Sequence, residues 1–169
     1  MKHILLALLL TSICGVSMFA QTDKKPSTAI RPYIVKTKQS MADLEKSLQS
    51  DNKAQDLIGG EGMQLRVAMQ HDKSRPTADA ELHDASDDVY YVLEGAALLT
   101  LGGTLESPRE ASKGEWRSKT IQDGQTFTIK KGDLIIVPRG TPHQRITLKG
   151  KEFSMILIKI FAAPLPPAK

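Results

Sequence analysis

The sequence predicts an all-β protein, a jelly-roll β-barrel with one short helix ahead of it, and three observations carry that prediction. From Met63 onward apolar side chains return at every second position, as they do on a strand with one buried face. Such runs are short and numerous, and turns rich in glycine separate them. With 169 residues the chain is long enough for one domain with a real core and too short for two ordinary ones. Many short strands with regular turns close into a sandwich or barrel, here of the jelly-roll kind.

Residues 1–20 read as a signal peptide. Lys2 and His3 give a basic start, an apolar run covers 4–10 and resumes weakly over 13–16, and Ala20 offers a small residue for cleavage before Gln21. Met18 stands where a small residue is preferred, so the cut position stays open, and an uncleaved anchor is the alternative. Lipid attachment at Cys14 is disfavoured by the bulky Ile13 before it. The run is too short and too broken for a stable membrane span. Cys14 is the only cysteine, so removal of the segment leaves a mature chain with no thiol. Disulfides, a nucleophilic cysteine and thiolate metal ligands are then excluded. Export to a bacterial periplasm or the outside surface fits such a chain.

Residues 21–62 are expected to hold a leader, a first strand and a short helix, residues 63–161 the barrel, and residues 162–169 a tail. Ser40 reads as a helix cap with Asp43 in the first turn, and the helix should run to about Ser50 with Met41, Leu44 and Leu48 on its apolar face. Gly59, Gly60 and Gly62 then break the chain. Met63, Leu65, Val67 and Met69 alternate with Gln64, Arg66, Ala68 and Gln70, which predicts a strand with one buried face. Further strands are expected over 80–83, 89–93, 96–101, 126–129, 134–137, 144–148 and 153–161, with Glu94-Gly95 read as a turn. The weakly periodic stretch from Gly102 to Gln122 reads as a loop or lid. Pro164-Leu165-Pro166-Pro167 cannot extend a central strand.

Charge narrows the partners. Lys and Arg number 23 against 19 Asp and Glu, a formal net charge of +4, and no block of one sign forms a nucleic-acid track. No helix-turn-helix segment is present, which argues against transcription control. The glycines near Gly59 lack the lysine and helix context of a phosphate loop.

The residues that carry chemistry cluster in two stretches. Glu81-Leu82-His83 puts two potential ligands on one face of a strand, and Asp88 opens the next strand. Much later, Gly132-Asp133-Leu134-Ile135-Ile136-Val137-Pro138-Arg139-Gly140-Thr141-Pro142-His143 runs from a turn through a strand and a tight corner to a histidine.

These stretches resemble the two motifs of the cupin superfamily. The second stretch matches its glycine, five residues, Pro-x-Gly, two residues and His, although the usual closing Asn is Thr147 here. In the first motif, counted back from Gly95, the Glu falls on Asp88, the second His on His83 and the first His on Glu81. Val89-Tyr90-Tyr91-Val92-Leu93-Glu94-Gly95 is also cupin-like. Gly102-Gly103-Thr104 and Gly114-Glu115-Trp116-Arg117 look like those of small exported single-domain cupins with Glu-x-His in the first motif.

The resemblance implies a cupin-type barrel in which Glu81, His83, Asp88 and His143 point inward and hold one divalent metal ion, leaving positions for water or substrate. Two imidazoles and two carboxylates suit Fe(II), Mn(II), Zn(II), Ni(II) or Cu(II), and the second carboxylate favours Mn(II) or Fe(II). Asp88 is a methylene shorter than Glu and is expected to ligate poorly or through water, and Glu81 has length to compensate. A metal-free pocket is the alternative. Arg145 shares the His143 face and is expected to meet an acidic substrate or to pair with Glu81 or Asp88; Tyr90 shares the Asp88 face and is expected to donate to a ligand or line the wall. His71 reads as structural, and Trp116 and Arg117 as residues capping the mouth or packed on its rim. The implied function is a metal-dependent enzyme acting on a small polar molecule, an oxidoreductase (dioxygenase), isomerase or lyase. A non-catalytic cupin binding a small molecule or metal is the other reading. A homodimer is expected on the same resemblance.

Overall fold

A single strand of sixteen residues, Ser86–Leu101, forms the spine of the protein. The computed structural model describes residues 26–29 and 31–166; the expected signal peptide, residues 1–20 with Cys14, lies outside them. The chain divides into two units, Met1–Val35 and Lys36–Lys169. The described residues of the first form no helix or strand, and the second carries everything below.

The described residues of the second unit form α1 (Lys38–Leu48) and twelve strands: β1 (Lys53–Ile58), β2 (Leu65–Asp72), β3 (Ala80–His83), β4 (Ser86–Leu101), β5 (Thr104–Leu105), β6 (Arg109–Ser112), β7 (Glu115–Ser118), β8 (Ile121–Gln122), β9 (Gln125–Lys130), β10 (Leu134–Val137), β11 (His143–Ile146) and β12 (Phe153–Phe161). The order β1-β2-β12-β4-β11-β3-β7-β6 is antiparallel throughout, with β9 and β10 also on β4 and a small pair β5-β8 beside it. No helix among the described residues is long and apolar enough to cross a membrane.

β4 joins the two halves of the jelly roll because it changes partners along its length. Its first half pairs with β12 and β10, and its second half with β9 and β11. The change falls at Glu94-Gly95, where the expected turn instead lies inside one continuous strand, next to a bulge at Leu93. Gly95 has φ +76, and a Cβ there would lie 2.1 Å from the Glu152 carbonyl oxygen, so glycine alone lets the strand bend at this contact. Alternation from this bend sends Tyr90 and Val92 to the same interior as Ala97 and Leu99, where they meet Ile129, Val137, Phe153, Met155 and Leu157. Burying each of the larger side chains stabilises by about 1.5–3 kcal/mol.

Several elements differ from expectation for physical reasons. Thr37, not Ser40, caps the helix: its backbone is extended and its Oγ1 accepts from the Ser40 amide at 3.2 Å, so Asp43 falls beyond the first turn. Leu48 is the buried member of the expected apolar face. The strand of the 21–62 segment, β1, follows the helix and is mostly exposed, which hides its alternation. β2 is buried on both faces toward its end, with Ala68 as inaccessible as Met69, and α1 packs against it. The 102–122 stretch is built into the sheets: β7 pairs with β3 over its whole length, and β6 folds back on β7. In the tail, Leu165 exchanges backbone hydrogen bonds with Gly62 and Met63, each of 2.9 Å.

Candidate metal centre

Register brings five strands to one point. His143 lies opposite Glu81, His83 opposite Glu115, Glu81 opposite Arg117, and Lys159 opposite Asp88. The Pro138-Arg139-Gly140 corner sets the start of β11. Gly140, at φ +76, donates its amide to the His83 carbonyl at 2.8 Å. Arg139 donates to Asp87 through its backbone, Nε and Nη2 at 2.8, 3.0 and 2.7 Å, and these contacts hold the Asp87 carboxyl down to about 2. With the corner tied to β3 and β4, the next strand begins with His143 turned inward.

Both imidazoles are buried and oriented from behind. His83 Nδ1 is 2.6 Å from Glu115 Oε2, and His143 Nδ1 is 3.0 Å from the Thr141 carbonyl oxygen. Carboxylate and carbonyl are acceptors, so each Nδ1 carries the proton and each Nε2 presents its lone pair when the ring is neutral. Burial pushes the His143 pKa below its ordinary value, against the opposing pull of the Thr141 carbonyl, and the neutral ring is favoured. The two rings have centroids 5.0 Å apart. Neither Nε2 makes a hydrogen bond among the described residues. Glu81 Oε2 stands 3.6 Å from His83 Nε2 and 4.0 Å from His143 Nε2, too far for hydrogen bonds. Glu81, His83 and His143 thus offer three ligand atoms within 4.8 Å of one another.

Asp88 stands beside this group with different attachments. Its Oδ2 is 3.5 and 3.9 Å from the two Nε2 atoms and accepts from the Tyr90 hydroxyl at 3.1 Å. Its Oδ1 accepts from Lys159 Nζ at 2.7 Å. Burial opposes ionisation of this carboxyl, but the His83 and Lys159 contacts outweigh it and hold the pKa to about 2. The Tyr90 hydroxyl, buried beside that carboxylate, has its pKa raised well above the ordinary value and keeps its proton as a donor.

Arg145 lines the same interior but pairs with neither Glu81 nor Asp88. Two residues along a strand is about 7 Å, which carries it to Asp72 on β2: its Nη2 donates to Asp72 Oδ2 at 2.7 Å. Its guanidinium carbon stands 5.8 Å from the Tyr90 ring centroid and 5.3 Å from that of Phe153. His71 is buried on the strand face opposite Gln70 and Asp72. Trp116 donates to Asp84 at 2.8 Å on the rim, and Arg117 Nε lies 3.8 Å from Glu81 Oε1. Sequence reasoning missed Glu115, Lys159 and Asp72. Glu115 and Arg117 alternate with Trp116 on a short strand, and that parity was the available signal; the other two needed the register.

The residues present fit a divalent ion. The test is the pair of buried Nε2 lone pairs left without partners beside a carboxylate, each imidazole braced through its other nitrogen as metal-binding histidines are. The group borders a cavity of about 100 Å³.

This inward-facing jelly roll is the cupin fold, as the two motifs implied. No family model matches the chain. Among curated proteins, the uncharacterized protein MJ1618 of Methanocaldococcus jannaschii is 31% identical over 85 residues, and the match spans 50% of this chain and 47% of that protein. The chain therefore covers about half the length of this relative. Among solved structures, BH2720 from Bacillus halodurans superposes with a TM-score of 0.52 at 16% identity over 82% of this chain and 88% of that one. The cupin domain of Cnp3 from Schizosaccharomyces pombe gives 0.47 at 14% identity over 64% and 59%. A recombinant oxalate oxidase in complex with glycolate gives 0.47 at 15% identity over 68% and 53%. Likeness at these identities concerns the fold.

Proposed function

We propose that this chain holds one divalent metal ion, Fe(II) or Mn(II) by preference, through Glu81, His83 and His143, and acts there on a small polar molecule. The single observation that supports it is the convergence of two buried, braced and unpartnered Nε2 atoms on the Glu81 carboxylate. Two imidazoles and one carboxylate with open positions favour non-haem iron and the neighbouring Mn(II). When bound, such an ion supplies Lewis-acid polarisation of a substrate oxygen, or a site for redox chemistry. The chain's own groups have separable tasks. Glu115 and the Thr141 carbonyl keep the proton on each Nδ1. Asp88, already matched in charge by Lys159, serves as an acceptor beside the ligand set and as a fourth ligand candidate through Oδ2. Tyr90 keeps its hydroxyl proton and directs it to Asp88.

The experiment is a panel of small acids and diols offered to protein loaded with Fe(II) or Mn(II), with oxygen uptake and substrate loss followed together. Oxygen-dependent loss identifies a dioxygenase, and oxygen-independent loss an isomerase or lyase. Ion uptake with no turnover across the panel favours the binding protein instead.

Export and pairing belong to the same proposal. Cleavage after residue 20 gives a periplasmic or extracellular chain without cysteine, and the mass of the mature protein checks it. Tyr91, Leu134 and Ile136 are exposed on the outer face where β10 meets β4, with Leu134 opposite Tyr91, which supports a homodimer across this face. Light scattering should give twice the chain mass, falling to one chain in Ile136→Lys; a monomeric wild type contradicts it.

A further inference from the structure

β12 carries a single charged residue, Lys159, in an otherwise uncharged strand, and that residue faces the barrel interior. Lys159 lines the cavity of about 100 Å³ with Glu81, Asp88, Tyr90 and His143, and its side chain is 14% exposed. A buried ammonium is costly unless it is paired. Register supplies the partner: Lys159 stands opposite Asp88 on the β12–β4 ladder, and its Nζ donates to Asp88 Oδ1 at 2.7 Å and to Ser86 Oγ at 3.4 Å. Ser86 and Asp88 share the inward face of β4, so the ammonium is seated against that strand.

The two acids of the centre are thereby unlike. Both oxygens of Asp88 are committed, Oδ1 to Lys159 and Oδ2 to the Tyr90 hydroxyl at 3.1 Å. Glu81 keeps its Oε2 at 3.6 and 4.0 Å from the two Nε2 atoms, beyond hydrogen-bond range, and its Oε1 lies 3.8 Å from Arg117 Nε. The ligand atoms that fall within 4.8 Å of one another belong to Glu81, His83 and His143. Asp88 occupies the motif position at which the resemblance implied a glutamate, with a side chain one methylene shorter. An ammonium at hydrogen-bond distance fixes the orientation of a carboxylate and weakens it as a donor to a second cation.

We propose that Lys159 is a positioning residue of the centre: it holds Asp88 beside the ion and off it. Glu81 is then the one carboxylate ligand, and the position Asp88 would fill stays open to water or substrate. This rests on the reading of the centre as a metal site and decides the role of its fourth candidate. The Asp88–Lys159 pair adds no net charge beside the ion, and an ion with one carboxylate ligand is a stronger Lewis acid than one with two. A lysine with a purely structural task would affect folding and leave the water bound to the ion unchanged.

Titration with Mn(II), followed by water-proton relaxation, tests this because it reads affinity and the hydration of the ion together. Lys159→Met keeps the stem and removes the charge. It should bind Mn(II) about tenfold more tightly, as sites with more ligand charge do, and with about one bound water fewer as Asp88 moves onto the ion. Tighter binding alone would follow from removing a nearby positive charge; the loss of water requires Asp88 as a ligand. Lys159→Arg, which restores the charge, should keep the hydration of wild type. Lys159→Met leaves a buried carboxylate unpaired at a cost in stability, so Asp88→Asn/Lys159→Met, which removes both charges, provides a second reading. That double variant should bind Mn(II) within about threefold of wild type and with the same hydration. A double variant that loses about tenfold in affinity and gains a bound water would make Asp88 a ligand of the wild type and overturn the proposal. Lys159→Met with the hydration of wild type would overturn it too. Wild type that takes up no Mn(II) removes the metal reading itself, and the role of Lys159 with it.

Discussion

Each imidazole of the centre has one nitrogen committed and one left over, and the committed one decides what the other can do. Replacing Glu115 by Gln removes the charge behind His83 and should lower metal affinity by about 10- to 100-fold, read by titration with Mn(II) against a competing chelator. His83→Ala and His143→Ala each remove a ligand atom and should abolish uptake of the ion. Asp88 sets the acid limb of stability. Its carboxyl titrates near 2 in the folded protein against an ordinary 3.8, so the unfolded chain binds the proton first as pH falls. Its contribution, about 2 kcal/mol, is therefore full above about pH 4 and lost on the way down to pH 2. Urea midpoints measured from pH 6 to pH 2 should show that loss, and Asp88→Asn should flatten it while lowering stability at neutral pH because Lys159 is left unpaired. The four motif positions were legible because ligand types at fixed spacing survive as letters. Glu115 was not, since its alternation with Trp116 and Arg117 on a short, half-buried strand is a faint mark. Lys159 and Asp72 owe their roles to strands that are distant along the chain.

Elements were legible where burial is one-sided and turns are sharp. β3, β10 and β12 have the expected bounds: β10 is a short apolar run that ends at Pro138, β12 an apolar run that opens soon after Gly150, and β3 a four-residue stretch between polar residues. β6 and β7 were hidden because β6 is exposed at every residue and β7 is half-buried through Glu115, Trp116 and Arg117. β7 pairs with β3 and β6 with β7 through backbone hydrogen bonds, which leave no hydrophobic period to read. The opposite error occurred at Glu94-Gly95, where the residues of a turn continue a strand just past a bulge at Leu93. That bulge lets β4 serve both halves of the barrel, and Gly95→Ala should cost roughly 3 kcal/mol or more, since the added Cβ meets the Glu152 carbonyl and the backbone leaves its preferred region. A lower urea midpoint with an unchanged slope is the expected reading.

At the scale of the whole molecule, the core holds the walls and the walls hold the site. Leu99 is fully inaccessible between β9 and β11, so Leu99→Ala should destabilise by about 2–5 kcal/mol. Loss of metal in that variant should follow unfolding and not precede it. The barrel as a class was legible from strand count and motif spacing, whereas the Asp72–Arg145 pair lay beyond the sequence because it joins β2 to β11 through the interior. The proposed function depends on a metal ion between Glu81, His83 and His143. Elemental analysis of untagged protein, before and after incubation with Fe(II) or Mn(II), tests this most directly. About one ion per chain in the wild type, and none in a folded His83→Ala/His143→Ala variant, is the predicted result. A wild type that stays metal-free after incubation, or a double variant that retains the same ion content, would contradict it.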